Sequence, residues 1–213
     1  MRPNIMLYLA GLSLAACGAA PEGQSAEAVA VNAASPPVSI DAPTPVVTPT
    51  AALAGIRLSG LASAAGIAAA EASAAKAGWS EVKVSRTQSF RLFSGEREVA
   101  TLVTGEATLA PDVPGCFAGV VQGDRVVLVP TIGQGEYETT SCGGPVAAGL
   151  LSPGEPVGIG VVFTSYSPNA ESREPIAFVW DAATNLFAID AAKSKKASLA
   201  GAQSIADMRR AIR

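Results

Sequence analysis

The sequence predicts an α+β domain, mostly antiparallel sheet, with an N-terminal Ala-rich helix, a C-terminal helix and one disulfide. Three observations carry that expectation. Short runs rich in valine, threonine and aromatic residues recur from Glu81 onward with Gly, Pro and Asn breakers between them, the signature of strands joined by tight connections. An alanine-rich stretch of good helix formers precedes these runs and a capped stretch with helical apolar spacing follows them, so helices and strands are segregated along the chain. Cys116 and Cys142 form an even pair inside the strand-rich region.

Residues 53–78 are Ala-rich. Ser63 stands as the N-cap of a helix over Ala64–Ala77, and Gly78 as its C-terminal stop. Its face of small residues suits close packing against a sheet or a weak stalk. Strands are expected at Glu81–Arg86, Ser89–Phe93, Val99–Thr104, Arg125–Pro130, Val157–Tyr166, Ile176–Asp181 and Leu186–Asp190. Breakers fall at Ser94-Gly95, Pro111 to Pro114, Gly133–Gly135, Gly143-Gly144-Pro145, Ser152–Pro156 and Ser167-Pro168-Asn169. Ala182–Asn185 makes a tight hairpin between the last two strands. Ser204 and Asp207 resemble a capping box, and Ile205, Met208 and Ile212 share one face of a terminal helix. This order argues for helices laid against one face of a sheet.

Residues 53–213 therefore read as a single globular domain; every aromatic except Tyr8 lies from Trp79 onward. Residues 18–52 are different in kind. They hold six of the fifteen prolines, no aromatic and no basic residue. Such a stretch cannot bury enough apolar surface to offset the entropy of ordering it. With Cys17 it forms segment 17–52, a disordered Pro/Ala-rich tether with an r.m.s. span of roughly 30–35 Å.

Composition excludes several functions. The formal charge of −3 offers no nucleic-acid footprint. Histidine is absent, which removes Ser-His-Asp and Cys-His catalysis and any Cys/His zinc site. An enzyme would need carboxylates, Lys or Tyr. No cofactor or metal site is expected.

Residues 1–16 have the layout of a secretory signal: Arg2, an apolar run from Ile5 to Ala16 too short to span a bilayer, and small residues at its end. Cys17 comes next. Leu14-Ala15-Ala16-Cys17 resembles the lipobox of bacterial lipoprotein precursors, a Leu, two small residues and the cysteine that receives lipid. The resemblance covers only these first residues, through Cys17. It implies a lipoprotein signal peptide over 1–16, diacylglycerol on the Cys17 sulfur, cleavage before Cys17, and acylation of the new amine, as with palmitate. Gly18 stands where an Asp often retains family members at the inner membrane. The resemblance therefore implies a lipid anchor in the outer membrane with the domain in the periplasm, the inner membrane being the alternative. Two or three acyl chains anchor a soluble domain firmly, each buried methylene contributing about 0.8 kcal/mol. In an exported protein Cys116 and Cys142 read as a structural disulfide, since a redox pair is typically spaced Cys-x-x-Cys. Closing a loop of about 27 residues contributes about 3.5 kcal/mol in the chain-entropy treatment.

Ser73-Ala74-Ala75-Lys76 and Ser80-Glu81-Val82-Lys83 match Ser-x-x-Lys, which resembles the nucleophile motif of penicillin-binding proteins, a serine one helical turn from the lysine that takes its proton. That family's Lys-Thr-Gly strand has no match in the chain, and no catalytic role is assigned to either serine. Gly133–Glu138 is a candidate binding loop inside the disulfide, with Tyr137 between Glu136 and Glu138 able to hydrogen-bond a sugar or a peptide cation. A solvated hairpin tip is the plain alternative. The polar stretch Tyr166–Pro175 is a second loop, where Asn169, Glu171 and Arg173 offer a recognition surface or simply a hairpin connection. Lys193, Lys195, Lys196, Arg209, Arg210 and Arg213 make the C-terminus basic, a patch for anionic lipid or acidic polymer, or else a solvated helix face and loop.

The expectation is a non-enzymatic, lipid-anchored binding or scaffold module of the bacterial cell envelope, whose partner is an envelope protein or a cell-wall polymer. The alternatives are an inhibitor or immunity-type protein acting on an envelope enzyme, and a carboxylate-based envelope hydrolase using Glu136, Glu138, Asp181 or Glu171.

Overall fold

Val157–Ser165 is buried at every position, as is Gly115–Val121. A strand of this kind needs a cover on both of its faces. The computed structural model, which describes residues 55–138 and 140–213, supplies two. Segment 1–16 and segment 17–52, with Cys17, lie outside the described residues.

The chain runs β1 (Ile56–Leu61), α1 (Ala64–Lys76), β2 (Ser80–Val84), β3 (Phe90–Ser94), β4 (Arg97–Ala110), β5 (Val113–Gln122) and β6 (Arg125–Pro130). A 3-10 turn at Gly135–Tyr137 leads to β7 (Ser141–Ser152), β8 (Val157–Ser167), β9 (Ala170–Asp181), β10 (Leu186–Ile189), α2 (Ala191–Leu199) and α3 (Ile205–Ala211). The strands form two antiparallel sheets. The first has the order β1-β3-β4-β5-β6, with β2 also paired to β4; the second has the order β10-β9-β8-β7.

The sheets stack face to face. Leu92, Leu102, Ala118 and Val120 of the first meet Ile159, Val161, Phe163, Ile176, Phe178 and Trp180 of the second in one apolar core. The outer faces carry the helices. Ala70 of α1 packs on Val103 and Val121 of the first sheet. Ala197 of α2 and Met208 of α3 pack on Val162 and Ala177 of the second. The α+β description with mostly antiparallel sheet and a disulfide holds, but helices on one face of one sheet do not. Among the described residues there are two sheets, and each has its own helical cover.

Small residues set these spacings. A Cβ added at Gly149 would lie 3.0 Å from Cγ2 of Ile205, and one at Gly160 would lie 3.0 Å from the Met208 sulfur, so α3 sits directly on glycines of β7 and β8. The helix caps are side-chain oxygens, which satisfy backbone N–H groups the helix leaves free. Ser63 accepts from Gly66 N, Asp190 from Lys193 N and Ser204 from Asp207 N.

Cys116 in β5 and Cys142 in β7 join the two sheets through a disulfide, with Cα atoms 5.2 Å apart. Polar contacts stitch the rims. Gln88 Oε1 accepts from Ala148 N at 3.0 Å, Gln122 Nε2 donates to Ala182 O at 3.1 Å, and Arg125 Nη2 donates to Thr184 O at 2.7 Å. Replacing both cysteines by alanine is expected to lower unfolding stability by about 3.5 kcal/mol. Urea denaturation reads this as a lower midpoint, matched by the parent in reductant; an unchanged midpoint would show that the bridge does not hold the sandwich together.

Candidate functional site

Beyond Phe178, strand β9 outruns its neighbour β10, which pairs only with Phe178–Asp181. Its open edge is taken by α2. Asp190 N donates to Ala177 O at 2.8 Å, and Ala177 N donates to the buried Ser194 hydroxyl at 2.9 Å. One helical turn further along lies Ser198, and level with it on the strand side is Glu174. The Glu174 carboxyl is half-buried. Its pKa is raised because desolvation outweighs the hydrogen bonds donated by the Tyr137 and Ser198 hydroxyls.

Tyr137 reaches Glu174 because its loop is fastened back onto β5 beside the disulfide. Thr131 donates to Cys116 O through both its N–H, at 2.8 Å, and its hydroxyl, at 2.9 Å, while Cys116 N donates to Ile132 O at 3.0 Å. Gly133 has φ +88° and N–H bonded to Tyr137 O, and an added Cβ would lie 2.8 Å from Pro114 O. Only glycine fits such a turn. The Tyr137 ring packs against the inter-sheet core.

Between this loop and α2 lies a cleft of about 410 Å³. Val129 and Pro130 at the end of β6, Gln134 and Tyr137 of the loop, and Ile189 and Ala191 at the β10–α2 junction line it, together with Thr131 and Ser194. It is a mostly apolar recess with a few fixed polar groups, the usual make-up of a ligand site. Tyr137 belongs both to its wall and to the Glu174 hydrogen bond.

The other sequence-derived candidates are dispersed. Gly133–Glu138 is the link between the two sheets and not a hairpin tip. Glu136 falls in the 3-10 turn, and Glu138 is exposed just after it. Tyr166–Pro175 is mostly strand, with Pro168 and Asn169 alone between β8 and β9. Asn169 is exposed at that tip, Glu171 pairs with Arg173 at 3.9 Å, and Arg173 also donates to the Thr164 hydroxyl. Asp181 accepts from Ala183 N and Thr184 N, and hydrogen bonds from the Thr184 hydroxyl and N–H lower its pKa. Ser80 and Lys83 lie on a strand, so they lack the helical spacing of the Ser-x-x-Lys motif, and Lys83 pairs with Glu106 at 3.5 Å. Ser73 and Lys76 share the last turns of α1, with Lys76 exposed. Of the basic C-terminal residues, Lys193 pairs with Asp190 at 2.8 Å, Arg210 pairs with Asp207, and Arg209 donates to Leu150 O at 2.8 Å. Among the described residues no group of three or more His, Cys, Asp or Glu is placed to hold a metal ion.

No protein family, curated protein or solved structure matches the chain. Glu174 and Ser198 were not singled out by sequence. Glu174 stood inside the polar stretch Tyr166–Pro175, and only the packing of α2 on β9 brings Ser198 to it.

Two titrations follow from this geometry. Tyr137→Phe removes a hydrogen bond that lowers the Glu174 pKa, so carboxyl NMR titration should show that pKa rising further. In the native state Glu174 holds its proton above the ordinary value of 4.5. Stability should therefore fall as pH rises from 4.5 through the raised value, and Glu174→Gln should flatten that stretch of the curve. Asp190 acts oppositely. Its burial is outweighed by hydrogen bonds from the Lys193 side chain and backbone and by the Lys193 charge, which hold it below 3.8. Stability from Asp190 is lost as pH falls through its lowered value. A flat profile in Glu174→Gln and parent alike would show that Glu174 carries no folding-linked proton.

Proposed function

We propose that this chain is a lipid-anchored binding module of the bacterial cell envelope, held at the periplasmic face of the outer membrane through Cys17. Its α2-side cleft receives an extended apolar segment of an envelope protein. The observation that carries the cleft reading is its position. It opens between β6 and β10, the outermost strands of the two sheets on one side of the sandwich. Edge strands present backbone donors and acceptors to an added strand, and the apolar floor of Val129, Pro130 and Ile189 takes its side chains. The anchor reading is supported by the Leu14-Ala15-Ala16-Cys17 spacing behind a short apolar run. Tethering confines the module to the membrane surface and raises its local concentration toward partners there.

An inhibitor would offer a projecting loop to its target. Gly133–Glu138 is instead fastened to β5 through Thr131 and Ile132, which favours the cleft over the loop as the binding element. A hydrolase would gather two acids, whereas Asp181 and Glu171 are each engaged by neighbours on their own hairpins.

Two experiments test this reading. Cells expressing the full chain and fed labelled palmitate should incorporate label, and Cys17→Ser should abolish it and release the protein from membranes. Label retained in Cys17→Ser would remove the anchor. For the cleft, Ala191→Trp fills the recess while Ala192→Trp, exposed and off its wall, does not. Crosslinked partner recovered from native membranes should fall at least tenfold for Ala191→Trp only, on the order of a 1.4 kcal/mol loss. Equal recovery with both variants would show that the cleft is not the binding element.

A further inference from the structure

We infer that the exposed face of the α2–α3 layer is a docking surface for anionic lipid head groups. Charge is segregated along this chain. Residues 193–213 carry six of the fifteen Lys and Arg but one of the eighteen Asp and Glu, so the rest of the chain sets nine basic residues against seventeen acids. Lys195, Lys196, Arg209, Arg210 and Arg213 are all exposed. Lys195 and Lys196 make no ion pair among the described residues, whereas the acids of the layer are engaged. Asp190 pairs with Lys193, Asp207 pairs with Arg210 and accepts from Gln203 N and the Ser204 hydroxyl, and half-buried Glu174 receives the Tyr137 and Ser198 hydroxyls.

A second observation separates this face from an ordinary solvated one. Leu199 is 80 % exposed, the most exposed large apolar side chain among the described residues. It lies four positions after Lys195 and three after Lys196, so the three share one face of the helix. An apolar side chain standing among cations suits the boundary between head groups and acyl chains, where the leucine enters and the lysines meet phosphates.

The way the chain enters the fold agrees with this placement. Ile56 N, at the first strand, donates to Pro153 O at 3.2 Å, just past β7. Arg209 of α3 donates to Leu150 O at 2.8 Å, three residues back on the same strand, roughly 10 Å away at strand spacing. Arg209 and the start of β1 thus meet the same end of β7. The inference rests on the proposed anchor only for the nearness of a membrane; the recognition chemistry is the face itself.

The full chain is mixed with vesicles of phosphatidylcholine, or of phosphatidylcholine with phosphatidylglycerol, and floated. Lysines are then acylated with a water-soluble reagent and quantified by mass spectrometry. On the anionic vesicles at low salt, Lys195 and Lys196 should react at least five-fold more slowly than on phosphatidylcholine. Lys76, on the opposite helical layer, should not change. The protection should vanish in high salt and be reduced several-fold by Leu199→Asp, which leaves the two lysines in place. Flotation on both vesicles without lysine protection overturns this inference and leaves the anchor standing. Flotation only on anionic vesicles with protection upholds the face and removes the anchor. Protection by soluble polyglutamate but not by vesicles overturns lipid docking in favour of an acidic polymer.

Discussion

The apolar face shared by the two sheets is the contact on which the rest of the structure depends. Each sheet is built from one contiguous stretch, residues 56–130 and residues 141–189, and no strand belongs to both. Nothing in either ladder of backbone hydrogen bonds holds the halves together. That falls to side chains such as Leu102, Phe163, Phe178 and Trp180, fully or almost fully buried, and to the disulfide that crosses between β5 and β7. The bridge sits where the chain passes from one sheet to the other. It therefore anchors the crossing loop as well as the sheets, and Thr131 and Ile132 bond to the backbone of Cys116 itself. Tyr137, and with it the hydrogen bond to Glu174, is positioned by the same clamp.

Burial on both faces has a consequence for the helices. A sheet whose inner face is spent on its partner still exposes Val103 and Val121, or Val162 and Ala177, on the outside, and these need covers. Alanine on α1 and α2, and glycine beneath α3, let the covers lie close at little side-chain entropy cost. A helix recruited to cover a sheet keeps its other side in solvent. On α2 and α3 that side carries the lysines and arginines.

This layering explains what could be read in the sequence and what could not. β6 has the bounds its valine run suggested, β10 falls within its expected run, β2 begins one residue before its expected run and ends two residues short of it, and Ala182–Asn185 is the turn between β9 and β10. In each case local chemistry and local structure agree. β1, β5 and β7 were hidden because their sequences, IRLSGL, VPGCFAGVVQ and SCGGPVAAGLLS, contain residues that read as breakers. The glycines are there for close approach. A Cβ at Gly119 would lie 2.4 Å from Val127 O, a requirement set by the neighbouring strand and invisible in one dimension. β8 and β9 run longer than their apolar cores because the hairpin continues into solvent, where polar residues are as suitable as apolar ones. α2 buries only Ser194 and Ala197, too narrow a stripe to show as an amphipathic pattern. The cysteine pair was legible because spacing and compartment chemistry need no fold. Glu174 was not, since its burial depends on a helix that follows it by a whole strand and a turn.

α2 is where the two functional readings meet, and its construction keeps them separable. Nine residues are too few for a helix to be stable by itself. Its stability comes from the Asp190 cap, the Ser194 hydrogen bond to Ala177 and the burial of Ala197 against the second sheet. Ala191 and Ser194 also wall the cleft. A change at Ser194 therefore disturbs helix, sheet edge and recess together, and its effect on binding could not be assigned to one of them. Lys195, Lys196 and Leu199 are exposed and off the cleft wall, where neither the helix nor the cleft depends on them. Altering their charge or polarity acts on the outer surface alone. Filling the recess at Ala191 acts on the cleft while leaving the cap, the Ser194 bond and the basic face in place. Ser194 apart, the residues that hold the helix differ from those that would use it, and that division allows a membrane contact and a bound segment to be tested one at a time.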